Sequence, residues 1–333
     1  MKIIVPMAGI GKRMRPHTLT VPKPLLKVAG KPIVQRLVED IAKTVDEKIT
    51  DIGFIIGDFG DAVKQDLMEV AKSLGAQGHV FQQEEALGTA HAIHCAKTLL
   101  DGKVIVAFAD TLFKANFTMD TTSDGVIWVQ KIEDPSQFGV VKLTENKDIC
   151  DFVEKPSTFV SDLAIIGIYY FKDGANLSNE IQYLIDNKIM DRGEYQITDA
   201  LQNMTKKGLV FKPGEVIEWL DCGNKNATVY TNQRVLEFIK DELSVPVSAT
   251  VTNATIIQPC MIGDGAVVEN SVVGPHVTIG KNTVVKASII SNSIIQDNTH
   301  IENKILENSM IGSQTKMVGR ADALSVGDFN EII

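Results

Sequence analysis

From Ile262 onward, aliphatic residues return at six-residue steps, and no other feature of the chain narrows its fold as far. Ile262-Gly263-Asp264-Gly265-Ala266-Val267 and Ile279-Gly280-Lys281-Asn282-Thr283-Val284 share one hexapeptide pattern. Val268, Val285, Ile295 and Ile301 continue it, with five-residue slips around Ser271, Ser288 and Ser293. A short turn of this kind cannot bury its aliphatic face alone. Stacking turn on turn gives a parallel β-helix with a continuous core. Roughly seventy residues suffice for only a few such turns, so the solenoid is short. The composition shift after Val245-Pro246 sets its expected domain at residues 247–333, with Val318 to Ile333 closing its end.

Residues 1–243 follow a different rule. Apolar runs suited to buried strands (Lys2 to Met7, Asp51 to Ile56, His79 to Gln82, Lys103 to Phe108) alternate with segments of helical period. Those segments are Pro32 to Thr44, Asp61 to Leu74 and Gly88 to Leu100. Short loops between alternating strands and helices imply an α/β fold, a doubly wound, mostly parallel, Rossmann-like sheet covered on both faces. From Gly125 the pattern passes to strands at Gly125 to Lys131, Gly139 to Thr144, Ile149 to Glu154 and Ala164 to Phe171. Helices are expected at Asp173 to Asn187, Gln196 to Lys207 and Asn224 to about Leu243. Ligands of such sheets lie at the carboxyl ends of the strands.

At the first of those ends the chain turns through Ala8-Gly9-Ile10-Gly11 and then presents Lys12, Arg13, Arg15 and Lys23. Small residues leave backbone N–H groups open to a polyanion, and the cations add charge. The spacing is not that of a P-loop. It is not the dinucleotide fingerprint either, since position 14 is Met14 rather than glycine. Gln83, after the third strand, offers both a donor and an acceptor, a pairing suited to a nucleobase edge. Asp110 ends the fourth strand, where a carboxylate can hold a divalent cation against phosphates.

The run Ala8-Gly9-Ile10-Gly11-Lys12-Arg13-Met14-Arg15-Pro16, followed by Pro22-Lys23-Pro24-Leu25, closely resembles the signature of the sugar-1-phosphate nucleotidyltransferases. The resemblance continues through Gln83 with Gly88-Thr89-Ala90, Asp110, Phe138-Gly139, Glu154-Lys155, the Gly167 strand and Trp219-x-Asp221-x-Gly223. It departs at Ala8 and Ala109, where many relatives have glycine, and at Ile165-Ile166, where many have an asparagine. The resemblance implies that a nucleoside triphosphate and a sugar 1-phosphate are joined as an NDP-sugar, with release of pyrophosphate. Asp110 and Asp221 would hold Mg²⁺. Arg13 would serve the leaving pyrophosphate and Lys23 the phosphorus under attack. Ala8, Gly9, Gly11, Lys12, Gln83, Gly88 and Thr89 would contact the nucleotide; Gly139, Glu154, Lys155 and Gly167 would contact the sugar phosphate. dTTP with glucose 1-phosphate is the expected pair, with UTP–glucose and GTP–mannose forms as alternatives. It further implies that the β-helix is the left-handed type, whose flat faces suit a homo-oligomer.

Composition sets the outer bounds. With 33 Lys plus Arg against 42 Asp plus Glu, the net charge of −9 argues against a broad nucleic-acid surface. No apolar run has the length of a membrane span, and the N-terminus enters a strand directly, so a cytoplasmic protein is expected. Cys95, Cys150, Cys222 and Cys260 are scattered, which favours reduced thiols over disulfides or a zinc site. Two rivals remain. Hexapeptide solenoids also serve acyltransferases, for which His276 and His300 are the histidines available in the repeat. A non-catalytic regulatory subunit would keep the fold, but Arg13, Lys23, Asp110 and Asp221 are all present.

Overall fold

The computed structural model describes residues 1–116, 118–320 and 324–329. The chain divides into two compact units, Met1–Leu26 with Lys31–Ala227, and Lys27–Gly30 with Thr228–Ile333. The division falls inside a helix, and a four-residue piece from near the N-terminus joins the second unit.

The first unit is built on one nine-stranded sheet. Its elements in chain order are β1 (Lys2–Pro6), α1 (Ile33–Lys43), β2 (Asp51–Ile56), α2 (Asp61–Ser73), β3 (Gln77–Gln82), α3 (Thr89–Cys95) and β4 (Val104–Ala107). Then come β5 (Thr111–Lys114), β6 (Gly125–Lys131), β7 (Val140–Leu143), β8 (Ile149–Val153) and β9 (Leu163–Phe171). The unit ends with α4 (Gly174–Asp186), α5 (Ile197–Lys206), β10 (Phe211–Glu215), β11 (Glu218–Asp221) and the start of α6 (Lys225–Phe238). Strand order is β3-β2-β1-β4-β9-β6-β10-β8-β7.

The first four strands are parallel, with Ile3 opposite Ile52 and Ile105. Ile3, Ile4 and Val5 have no solvent exposure, which is why this strand reads as an unbroken apolar run rather than an alternation. α1 covers the sheet with Ile33, Leu37, Val38 and Ile41, and fully burying each such side chain contributes roughly 1.5–3 kcal/mol. Beyond β4 the sheet becomes mixed: β9 runs antiparallel to both β4 and β6. The register of β9 slips between Ile165 and Tyr169, with Gly167 at φ +84° inside the slip. The β5–β11 pair forms a separate antiparallel ribbon, which the alternating pattern had not flagged.

In the second unit, short strands stack in three parallel sheets of five, four and four. Val268, Val285 and Ile301 align in one, and Val273 with Ile290 in the next, as the hexapeptide spacing predicts. This is the left-handed parallel β-helix. Its core is aliphatic, from Ile262 through Val277, Ile279 and Ile295. The serines at the five-residue slips have a defined task. Ser271 Oγ donates to the Glu269 carbonyl at 2.7 Å and accepts from the Ser288 amide of the next turn at 3.1 Å. Ser288 and Ser293 repeat the arrangement one turn on. Corners at Asn253, Asn270, Asn282 and Asn298 lie at positive φ, a region asparagine tolerates. From the same unit, buried Asn232 on α6 accepts from Ala29 N and Thr278 Oγ1, both at 2.8 Å. The expected closing segment lies partly outside the described residues, at 321–323 and 330–333. Among the described residues no helix is long and apolar enough to cross a membrane, and all four cysteines are free.

Candidate active site

The loop after β1 sits where parallel-sheet ligands bind, and its shape depends on Gly11. That residue is in the left-handed region at φ +60°, and an added Cβ would lie 3.1 Å from both Lys23 Cβ and Thr18 Cγ2. Thr18 Oγ1 donates to the Gly11 carbonyl at 2.8 Å and holds the turn. Around Gly9 the space is open. A cavity of about 290 Å³ lies against this loop, with Ala8, Gly9, Lys23, Gln83, Gly88 and Asp110 in its lining. Lys12 is exposed on the following turn and is not in that lining.

Two acids that are far apart in sequence are neighbours here. The ribbon register places Asp221 opposite Thr111, and Cys222 N donates to the Asp110 carbonyl at 2.9 Å. Lys23 Nζ contacts Asp110 Oδ2 at 2.9 Å, with the lysine side chain only 12% exposed. Asp221 Oδ1 accepts from Gly223 N at 2.8 Å. A Cβ at Gly223 would meet Asp221 Oδ1 at 2.9 Å and Arg13 Nη2 at 3.2 Å, so the guanidinium shares that corner. Burial raises the Asp221 carboxyl above the usual range and Asp110 adds to it, against the Gly223 N–H, Lys23 and Arg13. Adjacent carboxylates form a donor set suited to a hard divalent cation. Among the described residues no cluster of three or more His, Cys, Asp or Glu could hold a metal ion.

The loop at the far wall depends on Gly88, at φ +104°. Tyr195 N donates to Leu87 O at 2.8 Å and Ala90 N donates to Tyr195 O at 2.9 Å, so two backbones meet here. Thr89 Oγ1 donates to Gln196 Oε1 at 3.2 Å and accepts from Ile197 N at 3.0 Å. Thr89 thus braces the wall. Gln83 Nε2 lies 3.2 Å from the Gly88 carbonyl and 3.1 Å from His91 Nδ1. The donor side of Gln83 is therefore engaged within the protein rather than offered to a ligand.

The remaining expected residues form an adjoining cluster. Ile165 N donates to Gly139 O at 2.8 Å, and a Cβ on Gly139 would be 3.1 Å from Glu154 Oε2. Lys155 Nζ lies 3.4 Å from Glu154 Oε1, and Thr198 Oγ1 lies 3.5 Å from Glu154 Oε2. The slip at Gly167 ties this cluster to the acids. Phe108 N donates to Gly167 O at 2.9 Å and Thr111 Oγ1 to Ile166 O at 2.8 Å. Tyr169, two residues after Gly167, is buried, which raises its phenol strongly, with Glu154 and then Asp110 adding to the effect. Trp219 packs edge-on against Phe138 at 5.0 Å, as a wall rather than a stacking platform. Sequence reasoning missed Glu194, which lines the cavity, and Arg192, whose Nη2 donates to the Lys155 carbonyl at 3.2 Å. The charged run Asp191-Arg192-Gly193-Glu194 before the α5 helix was the available signal. In the solenoid, His276 Nε2 pairs with Glu237 at 2.7 Å and His300 Nε2 with Glu302 at 3.0 Å.

The small-residue turn after β1, with two acids and two cations gathered beside it, suits a protein that handles nucleotide phosphates. The nucleotidyl transferase family model matches residues 2–237, and the chain belongs to that family. It is 33% identical over 306 residues to a glucose-1-phosphate thymidylyltransferase of Streptomyces antibioticus, covering 85% of this chain and 83% of that protein. It is 27% identical to the bifunctional protein GlmU of Methanococcus maripaludis, across 81% of this chain but only 62% of that protein's length. Among solved structures, a UDP-glucose pyrophosphorylase complexed with UDP-glucose superposes with a TM-score of 0.60 at 22% identity, covering 71% of this chain and 98% of that one.

Proposed function

We propose that the chain joins a nucleoside triphosphate to a sugar 1-phosphate, with dTTP and glucose 1-phosphate as the pair, as a glucose-1-phosphate thymidylyltransferase. The carrying observation is the corner where Lys23, Arg13, Asp110 and Asp221 meet beside the Ala8–Gly11 turn. Residues 1–243 would carry the reaction and 247–333 the solenoid. A phosphate oxygen of the sugar phosphate attacks the α-phosphorus in line, and pyrophosphate leaves. No enzyme nucleophile is required; positioning and charge neutralisation do the work.

Asp110 and Asp221 are the residues that would hold Mg²⁺, which when bound offsets negative charge at the α-phosphate. The Ala8, Gly9 and Gly11 backbone cradles the phosphates, with Lys12 at the rim. Lys23, now on Asp110, is within reach of the α-phosphate, and Arg13 takes up charge on the departing pyrophosphate. Gln83, Gly88 and Thr89 face the base. Lys155 binds the sugar phosphate and Glu154 the hydroxyls, with Gly139 and Gly167 allowing close approach of the ring.

The family match over residues 2–237 lies outside the hexapeptide repeat and favours this reading over an acyltransferase. Assembly as a homo-oligomer is supported by an aliphatic ladder on one solenoid face, half-buried Val272 in register with exposed Ile289 and Ile305. Free cysteines support a cytoplasmic location. A matrix of nucleoside triphosphates against sugar 1-phosphates, read by pyrophosphate release, tests the reading. Highest kcat/KM for dTTP with glucose 1-phosphate is expected. UTP–glucose or GTP–mannose as the best pair would replace the substrate assignment, and no turnover with any pair would overturn the activity.

A further inference from the structure

The Gln83 side chain can be oriented from chemistry alone. A backbone carbonyl only accepts, so the amide atom 3.2 Å from Gly88 O is Nε2, a donor. The same nitrogen lies 3.1 Å from His91 Nδ1. An amide nitrogen only donates, so Nδ1 must accept, and His91 is the neutral tautomer with its proton on Nε2. Both amide hydrogens are thereby committed inside the protein. The carbonyl oxygen Oε1 is the one polar atom of that side chain left to meet a ligand in the cavity that Gln83 lines.

We infer that His91 is a specificity-determining residue: by accepting from Gln83 Nε2 it fixes the amide so that the pocket presents an acceptor, selecting bases that carry a ring N–H. Thymine and uracil (N3–H) and guanine (N1–H) satisfy that acceptor. Cytosine N3 and adenine N1 are themselves acceptors and leave Oε1 facing a lone pair. Sites built to pair a substrate N–H discriminate strongly against analogues that lack it, because the protein group is left unpaired. His91 acts through Gln83 and so is a positioning residue. It stands on α3, whose first turn includes Thr89, so the base wall and the group that orients it share one element. The inference rests on the reading that the base sits against Gln83, and its test separates the two.

The experiment uses the full chain and measures kcat and KM for dTTP, dCTP and glucose 1-phosphate in wild type, His91→Phe, His91→Gln and Gln83→Ala. His91→Phe removes one hydrogen bond that orients the amide. It should raise KM for dTTP about tenfold and narrow the dTTP-to-dCTP ratio by a similar factor, leaving KM for glucose 1-phosphate unchanged. His91→Gln keeps an acceptor and should restore most of the ratio. Wild-type selectivity in a folded His91→Phe overturns the inference, as does an equal rise in both substrates' KM that His91→Gln fails to reverse. If His91→Phe does not fold, His91→Leu, which adds less bulk, carries the same expectations and the same refutation. Gln83→Ala should also raise KM for dTTP. If it does not, the base assignment fails; if it does while the His91 variants are silent, only the role of His91 fails.

Discussion

Replacing Gly88 by alanine tests whether the base wall depends on the meeting of two backbones. An added Cβ would stand 2.5 Å from Tyr195 O, 2.7 Å from Tyr195 N and 2.9 Å from Glu194 Cβ. Neither backbone can simply retreat, because Tyr195 N to Leu87 O (2.8 Å) and Ala90 N to Tyr195 O (2.9 Å) hold them together. The φ of +104° adds strain for any side chain. Holding a non-glycine residue there costs about 1–3 kcal/mol. Overpacking adds roughly 1–3 kcal/mol, so the total loss is about 2–6 kcal/mol. Gly208 is the internal control, with φ +97° and nothing within 4 Å of an added Cβ, so Gly208→Ala carries the strain without the clash. Urea unfolding and steady-state kinetics on both variants make the comparison. Gly88→Ala should lose more stability and raise KM for the nucleotide by more than tenfold, while Gly208→Ala leaves both KM values alone. Equal stability losses, with an unchanged nucleotide KM in Gly88→Ala, would refute the reasoning.

Lys155→Ala should raise KM for the sugar phosphate well above any change in KM for the nucleotide, checked by varying each substrate in turn; equal effects on both would count against its assignment to the sugar phosphate. Asn232→Ala removes the acceptor for Ala29 N and Thr278 Oγ1, two donors inside the second unit. At roughly 1–3 kcal/mol for each buried group left unpaired, thermal unfolding should show a clear loss. A melting temperature equal to wild type would mean those groups find other partners.

The sequence was most legible where a period exists. Apolar runs and helical spacing located β1, α1, β2 and α2 to within a residue or so, and the hexapeptide step located the solenoid strands. Serine slips that looked like irregularities are the positions where a hydroxyl joins consecutive turns. The β5–β11 ribbon was not legible. Four-residue strands carry little periodicity, and their pairing joins Thr111 to Asp221 across more than a hundred residues of chain. Lys27–Gly30 likewise joins the second unit through contacts such as Ala29 with Asn232, which no local pattern encodes. At the site, residue types were readable and their states were not. Gln83 looked able to donate and accept, and only the positions of Gly88 O and His91 show its hydrogens already committed. Glu194 and Arg192 were not legible, since charged residues in a loop are ordinarily solvated.

On the proposed function, Asp110 and Asp221, brought together by that ribbon, hold a cation against the triphosphate. Asp110→Asn tests it most directly, because the amide keeps the shape and removes the charge at a position that is partly exposed and outside the core. Divalent-metal-dependent pyrophosphate release should fall at least a hundredfold, on the order of losing one transition-state charge contact, with a wild-type melting temperature. Near-normal metal-dependent release by the folded variant would contradict the account.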